Sequence, residues 1–137
     1  MLIAVDFDGT IVEHRYPEIG KEIPFATDTL RRLIAERHRL ILWTMRTGHL
    51  LDEALDWCCE HGVEFYAVNS DFPDQEYTEG MARKIKVDMV IDDRNVGGLP
   101  DWGVIYEIIQ RNITYQDYIM ESLTGHSLQQ KKKHWWQ

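Results

Sequence analysis

The sequence predicts an α/β fold: a three-layer sandwich around a mostly parallel, Rossmann-like sheet. Two observations carry that prediction. Short apolar runs rich in β-branched residues alternate with stretches whose apolar residues recur at helical spacing. Three of the apolar runs also lead into polar residues, Asp8, Thr44 and Asp92. In a parallel sheet those residues share the carboxyl edge, where ligands of such folds bind.

The elements follow in order. The run that opens at Leu2 has the length and β-branched content of a buried parallel strand. Alternation along it sends Asp6 and Asp8 to one side and Phe7 to the other. Glu13 to Glu22 is polar and reads as a turn, closed by Ile23-Pro24. A helix fits Ala26 to Arg37, with Leu30, Leu33 and Ile34 as its inward stripe. Leu40 to Trp43 is a second buried strand ending at Thr44. Gly48 to His61 is the next helix, with Leu51, Ala54, Leu55 and Cys58 on one face and Gly62 as its stop. Val63 to Val68 makes a third strand, Asn69 to Gly80 a polar loop, and Val87 to Ile91 a fourth strand.

Beyond these, Asp101 reads as the N-cap of a helix through Gln110, with Trp102, Ile105, Tyr106, Ile108 and Ile109 at helical spacing. A fifth strand over Val104 to Ile109 competes, because that stretch is rich in β-branched residues. Thr114 to Asp117 resembles a capping box and opens a last helix. The tail containing Lys131, Lys132, Lys133, His134, Trp135 and Trp136 is expected to pack its tryptophans on the body or on another subunit.

Bulk properties narrow the class. At 137 residues the chain has the length of one domain, 1–137, with a helical and aromatic tail from about 114. Apolar and charged shares of 44% and 28% are those of a soluble globular protein. No apolar run approaches the ~20 residues that span a bilayer, and no leader is evident, so a cytoplasmic location is expected. The net charge of −8 argues against broad affinity for nucleic acid, yet is compatible with a small phosphate ester held by local cations. Cys58 and Cys59 are adjacent within a helix and read as reduced. The six histidines show no metal-ligand spacing.

Two acidic pairs stand out: Asp6 with Asp8, and Asp92 with Asp93, each at the end of an apolar strand. Taken singly, either pair is as well explained by a turn or a helix cap. Together they describe carboxylates that repel one another unless a cation or a shared proton separates them. The combination reads as a divalent-metal site with a nucleophilic or acid–base partner.

Asp6-Phe7-Asp8-Gly9-Thr10, then Thr44, Lys84 and Asp92-Asp93, occur in the order that marks the haloacid dehalogenase superfamily, which the chain resembles from Leu2 to about Gly98. The resemblance implies a Mg²⁺-dependent phosphomonoester hydrolase. It implies that Asp6 attacks phosphorus to give an aspartyl-phosphate and that Asp8 is the acid–base. Gly9 and Thr10 belong to the phosphate-binding turn, Gly9 admitting close backbone approach. Thr44 would hydrogen-bond a phosphate oxygen, and Lys84 would neutralise another while anchoring Asp6. Asp6, the main-chain carbonyl of Asp8, and Asp92 would hold Mg²⁺, with Asp93 a ligand through water or a partner for Lys84.

Other positions stay open at this level. Lys86 competes with Lys84 but alternates with Asp88 and reads as solvent-facing. Arg46 is either a second phosphate or substrate contact or an ion pair to a surface acid. Arg94 is expected to brace the acidic pair. About 33 residues lie between Thr10 and Thr44, which leaves no room for a cap domain. A capless site implies a large substrate or a neighbouring subunit as lid, hence a homo-oligomer. Alternatives are a phosphotransferase or nucleotidase on the same scaffold, a non-catalytic phosphate-binding module, and a receiver-like domain. The last is disfavoured because its acidic pair follows the first strand, not the fourth.

Overall fold

A computed structural model of the chain describes residues 1–73, 80 and 84–125. Its contacts divide it into two compact units, Met1–Leu99 and Pro100–Gln137. The Lys- and Trp-rich tail lies outside the described residues.

The first unit holds a four-stranded sheet of β1 (Leu2–Val5), β4 (Arg39–Leu42), β5 (Ala67–Val68) and β6 (Met89–Ile91), in the order β5-β4-β1-β6. Every pairing is parallel. The sequence predicts such a sheet, and the structure has it. Ile3, Ala4 and Val5 are fully buried, as are Ile41 and Leu42, so successive residues on both faces are shielded. This is the condition under which a parallel strand reads as an unbroken apolar run. Helix α1 (Ala26–Ala35) joins β1's side of the chain to β4, and α2 (Gly48–Glu60) joins β4 to β5. Both crossovers step the same way across the sheet, so right-handed connection puts both helices on one face.

Strand order fixes where a site can form. From β1 the chain moves outward to β4 and β5, then returns to place β6 on β1's other side. The crevice between β1 and β6 is the topological switch point of the sheet. Asp6 follows β1 and Asp92 follows β6, both at the carboxyl edge. The Asp6 N–H donates to the Ile91 carbonyl at 3.0 Å, which carries the pairing one residue past β1.

Three local readings change. The polar stretch read as a turn is a β-hairpin, β2 (Val12–Arg15) with β3 (Glu18–Glu22), paired antiparallel with an irregularity between Val12 and His14. Its residues are mostly exposed, so no apolar alternation announces it. The expected strand Val63–Val68 pairs only at Ala67–Val68. Val104–Ile109, where a strand competed, lies within helix α3 (Trp102–Arg111) of the second unit, whose Trp102, Ile105, Ile108 and Ile109 are buried.

Helix α4 (Tyr115–Thr124) begins with the capping box read from the sequence. Asp117 N–H donates to the Thr114 hydroxyl at 3.0 Å, and Thr114 N–H to the Asp117 carboxylate at 3.3 Å. Among the described residues no helix is long and apolar enough to cross a membrane.

Candidate active site

Directly after β1 the chain turns tightly on one carbonyl. The Phe7 carbonyl accepts from the N–H groups of Thr10, Ile11 and Val12 at 3.2, 2.9 and 3.3 Å. Gly9 sits in this turn with φ +85°, a conformation that suits glycine. The turn folds Thr10 back beneath Asp6, where it is fully buried. Its hydroxyl donates to Asp6 Oδ2 at 3.1 Å and lies 3.4 Å from Asp93 Oδ1, while the Asp93 N–H donates to it at 3.0 Å. One buried hydroxyl thus ties the loop after β1 to the loop after β6.

This tie gathers three carboxylates. Asp6, Asp92 and Asp93 each offer an oxygen within 4.8 Å of the other two. Asp92 is fixed by the Arg94 N–H, which reaches its Oδ1 at 2.9 Å, and by Asn95, whose amide donates to its carbonyl at 2.8 Å. Arg94 therefore braces the acidic pair through its backbone. Asp93 comes so close to Gly9 that a Cβ there would lie 2.2 Å from Asp93 Oδ2. The glycine freedom assigned from sequence to phosphate approach is used here for a carboxylate.

Electrostatics at the cluster are those of an unbalanced site. Burial and then the neighbouring Asp92 charge, with a further contribution from Asp93, push the Asp6 carboxyl up to about 7. Among the described residues no Lys, Arg or His forms an ion pair with any of the three acids. Three close, part-buried carboxylates with no counter-charge paired to them among the described residues form an all-oxygen donor set, which suits a hard divalent cation such as Mg²⁺.

Asp8 is placed differently. Its carboxylate is gripped by Arg46, with Nε to Oδ2 at 2.8 Å and Nη2 to Oδ1 at 2.7 Å. The Asp8 side chain is accordingly no member of the three-acid cluster, and β1 ends at Val5, short of the alternation that would align it with Asp6. Arg46 is fully buried. Of the two readings open from sequence, phosphate contact or ion pair, the structure shows the ion pair. Its partner is a site acid and not a surface one. Sequence reasoning carried the arginine but not the partner, because 38 positions separate the two.

Thr44 follows β4 at the same edge. Its hydroxyl accepts from the Arg46 N–H at 3.1 Å, and its own N–H donates to Asn69 Oδ1 at 2.8 Å. Asn69, just past β5 with φ +53°, is a residue sequence reasoning passed over. A polar residue tolerant of positive φ at a strand end was the available signal. Lys84 and Lys86 are both exposed, and neither makes a hydrogen bond or ion pair among the described residues.

A conserved protein of Bacteroides thetaiotaomicron, known from its solved structure, is 63% identical, with a TM-score of 0.80 over 86% of this chain and 96% of that one. The chain belongs to that protein's family. A D,D-heptose 1,7-bisphosphate phosphatase from B. bronchiseptica, solved with magnesium and phosphate, matches at 18% identity and a TM-score of 0.40, over 61% of this chain and 55% of that one. So slight a likeness decides nothing about chemistry. No protein-family model and no curated protein matches the chain.

Proposed function

We propose that the chain is a capless haloacid dehalogenase-type phosphatase that hydrolyses phosphomonoesters with Mg²⁺. The observation that carries this reading is the gathering of Asp6, Asp92 and Asp93 at the switch point, where the motif order puts a nucleophile beside an acidic doublet.

In this reading an Asp6 oxygen forms a bond to phosphorus as the bond to the leaving oxygen breaks. Asp8 gives the departing alkoxide its proton, then takes one from the water that attacks the aspartyl-phosphate and releases Asp6 with inorganic phosphate. Thr44 hydrogen-bonds a phosphate oxygen, Gly9 and Thr10 shape the turn beneath it, and Lys84 supplies a further positive charge. When bound at Asp6, Asp92 and Asp93, Mg²⁺ neutralises charge on the carboxylates and on the phosphoryl oxygens. Thr10 keeps the nucleophile and the doublet in register, which a reaction with in-line geometry requires.

A panel of phosphomonoesters assayed with and without Mg²⁺ tests the proposal. The expected result is Mg²⁺-dependent release of phosphate that Asp6→Asn abolishes. No turnover of any ester by folded protein, or full activity in Asp6→Asn, would sink it. A cytoplasmic location and self-association belong to the same proposal, and the active species should sediment as an oligomer.

A further inference from the structure

We infer that Arg46 is a positioning residue for Asp8, which fastens the tip of the β2–β3 hairpin to the Asp8 carboxylate so that the two are held as one unit. The inference rests on the phosphatase reading for its kinetic consequences, but its geometric basis is independent of that reading.

Arg46 uses its guanidinium to join the loop after β1 and the tip of the β2–β3 hairpin, 38 and 29 positions away, to the start of α2. Two N–H groups hold both oxygens of Asp8. Nη2 also donates to the Glu18 carbonyl at 3.0 Å, and Nη1 to the Pro17 carbonyl at 3.2 Å, both at the hairpin tip. Nη1 further reaches the Leu50 carbonyl in the first turn of α2 at 3.3 Å. The rings of Phe7 and Tyr16 lie 5.3 and 5.2 Å from the guanidinium carbon. No part of the Arg46 side chain reaches solvent, and only 13% of the Asp8 side chain does.

A surface arginine awaiting a phosphate would keep donors free and a path to water. Arg46 has neither. Its planar fork is spent on one carboxylate and three carbonyls, an arrangement a lysine ammonium cannot reproduce. The effect on Asp8 is orientation, because two parallel bonds fix the carboxylate plane where one bond would let it turn. The effect on the hairpin is anchorage, because Pro17 and Glu18 have their carbonyls bound to a group that Asp8 itself holds in place.

Two measurements test this, with Arg46→Lys as the conservative variant and Asp8→Asn as its partner. The first is hydrogen exchange of hairpin amides over residues 12–22. Both single variants should speed exchange there by about tenfold or more, with the amides of β1 and β4 unchanged. A hairpin unaffected by Asp8→Asn overturns the linkage, whatever the protein's activity. The second is kinetic, on an ester the wild type turns over.

Arg46→Lys should lower kcat on the order of 10²-fold, leaving KM and the inhibition constant of inorganic phosphate within about threefold. In the Asp8→Asn background the same change should cost little more. A raised KM and weakened phosphate inhibition with kcat retained would make Arg46 a phosphate ligand instead. Additive losses in the double variant would equally refute action through Asp8. If the wild type turns over no ester, the phosphatase reading fails by itself, and the exchange experiment alone decides the linkage.

Discussion

Gly9 and Asp93 meet across the switch point, with Asp93 Oδ2 in the space a Cβ on Gly9 would need, 2.2 Å from where that atom would stand. The two residues are distant in sequence and come from loops after different strands. The contact means that the shape of the first loop is a condition for the acidic cluster.

Gly9→Ala tests that condition twice over. The alanine must adopt φ near +85° and displace a carboxylate already held by Thr10. A positive-φ non-glycine residue costs about 1–3 kcal/mol, and displacement of Asp93 weakens cation binding as well. Thermal melting should fall in chelator, and the rise in melting temperature on adding Mg²⁺ should shrink. Calorimetry of Mg²⁺ binding with unchanged affinity would contradict the assignment of Asp93 to the cluster.

Thr10→Val keeps the shape and removes the hydroxyl. The Asp93 N–H then loses its acceptor in a buried place, which costs about 1–3 kcal/mol. Thr10→Ser restores the bonds and should recover most of that stability. Denaturant unfolding of the two variants side by side reads the difference. Equal stability would show that the hydroxyl bridge contributes nothing.

Asp92→Asn removes the like charge nearest Asp6 in effect. In chelator the variant should melt higher than the wild type, because a repulsion within the folded state is gone. With Mg²⁺ the order should reverse, since binding to the native state adds RT ln(1 + [Mg²⁺]/Kd) only where the ligands remain. A variant that melts lower in both conditions would count against a charge-loaded cation site.

The raised Asp6 carboxyl also gives a pH dependence with a definite sign. Its ordinary value is 3.8, and the fold pushes it to about 7, mainly by burial and then by Asp92. Between those values the folded chain holds a proton that the unfolded chain has released, so stability declines as pH rises through the window. In chelator, melting temperature should therefore drop between about pH 5 and pH 8 more steeply for the wild type than for Asp6→Asn. Saturating Mg²⁺ should flatten the wild-type slope, since it favours the ionised form. Parallel pH profiles for the two proteins would refute the shift.

Much of this molecule is legible in its residues taken in order. Ile3–Val5 and Leu40–Leu42 read as parallel strands because they are buried on both faces and so must be apolar throughout, which leaves a run visible to the eye. Thr114 and Asp117 announce their helix because a capping box is local chemistry, complete within four positions. The hairpin of Val12–Arg15 and Glu18–Glu22 is invisible for the converse reason. Most of its residues past Val12 are exposed, and its tip is held by Arg46 through backbone carbonyls, which carry no residue identity.

The strands β1, β4 and β6 and the acidic pairs that follow β1 and β6 were thus determined by sequence alone. Only the tertiary structure decided how those groups are divided, Asp6 going with Asp92 and Asp93 while Asp8 goes to Arg46. The physical reason is that a carboxylate's partner is set by distance in space. That distance depends on strand order and on one tight turn at Gly9, which spacing along the chain does not encode.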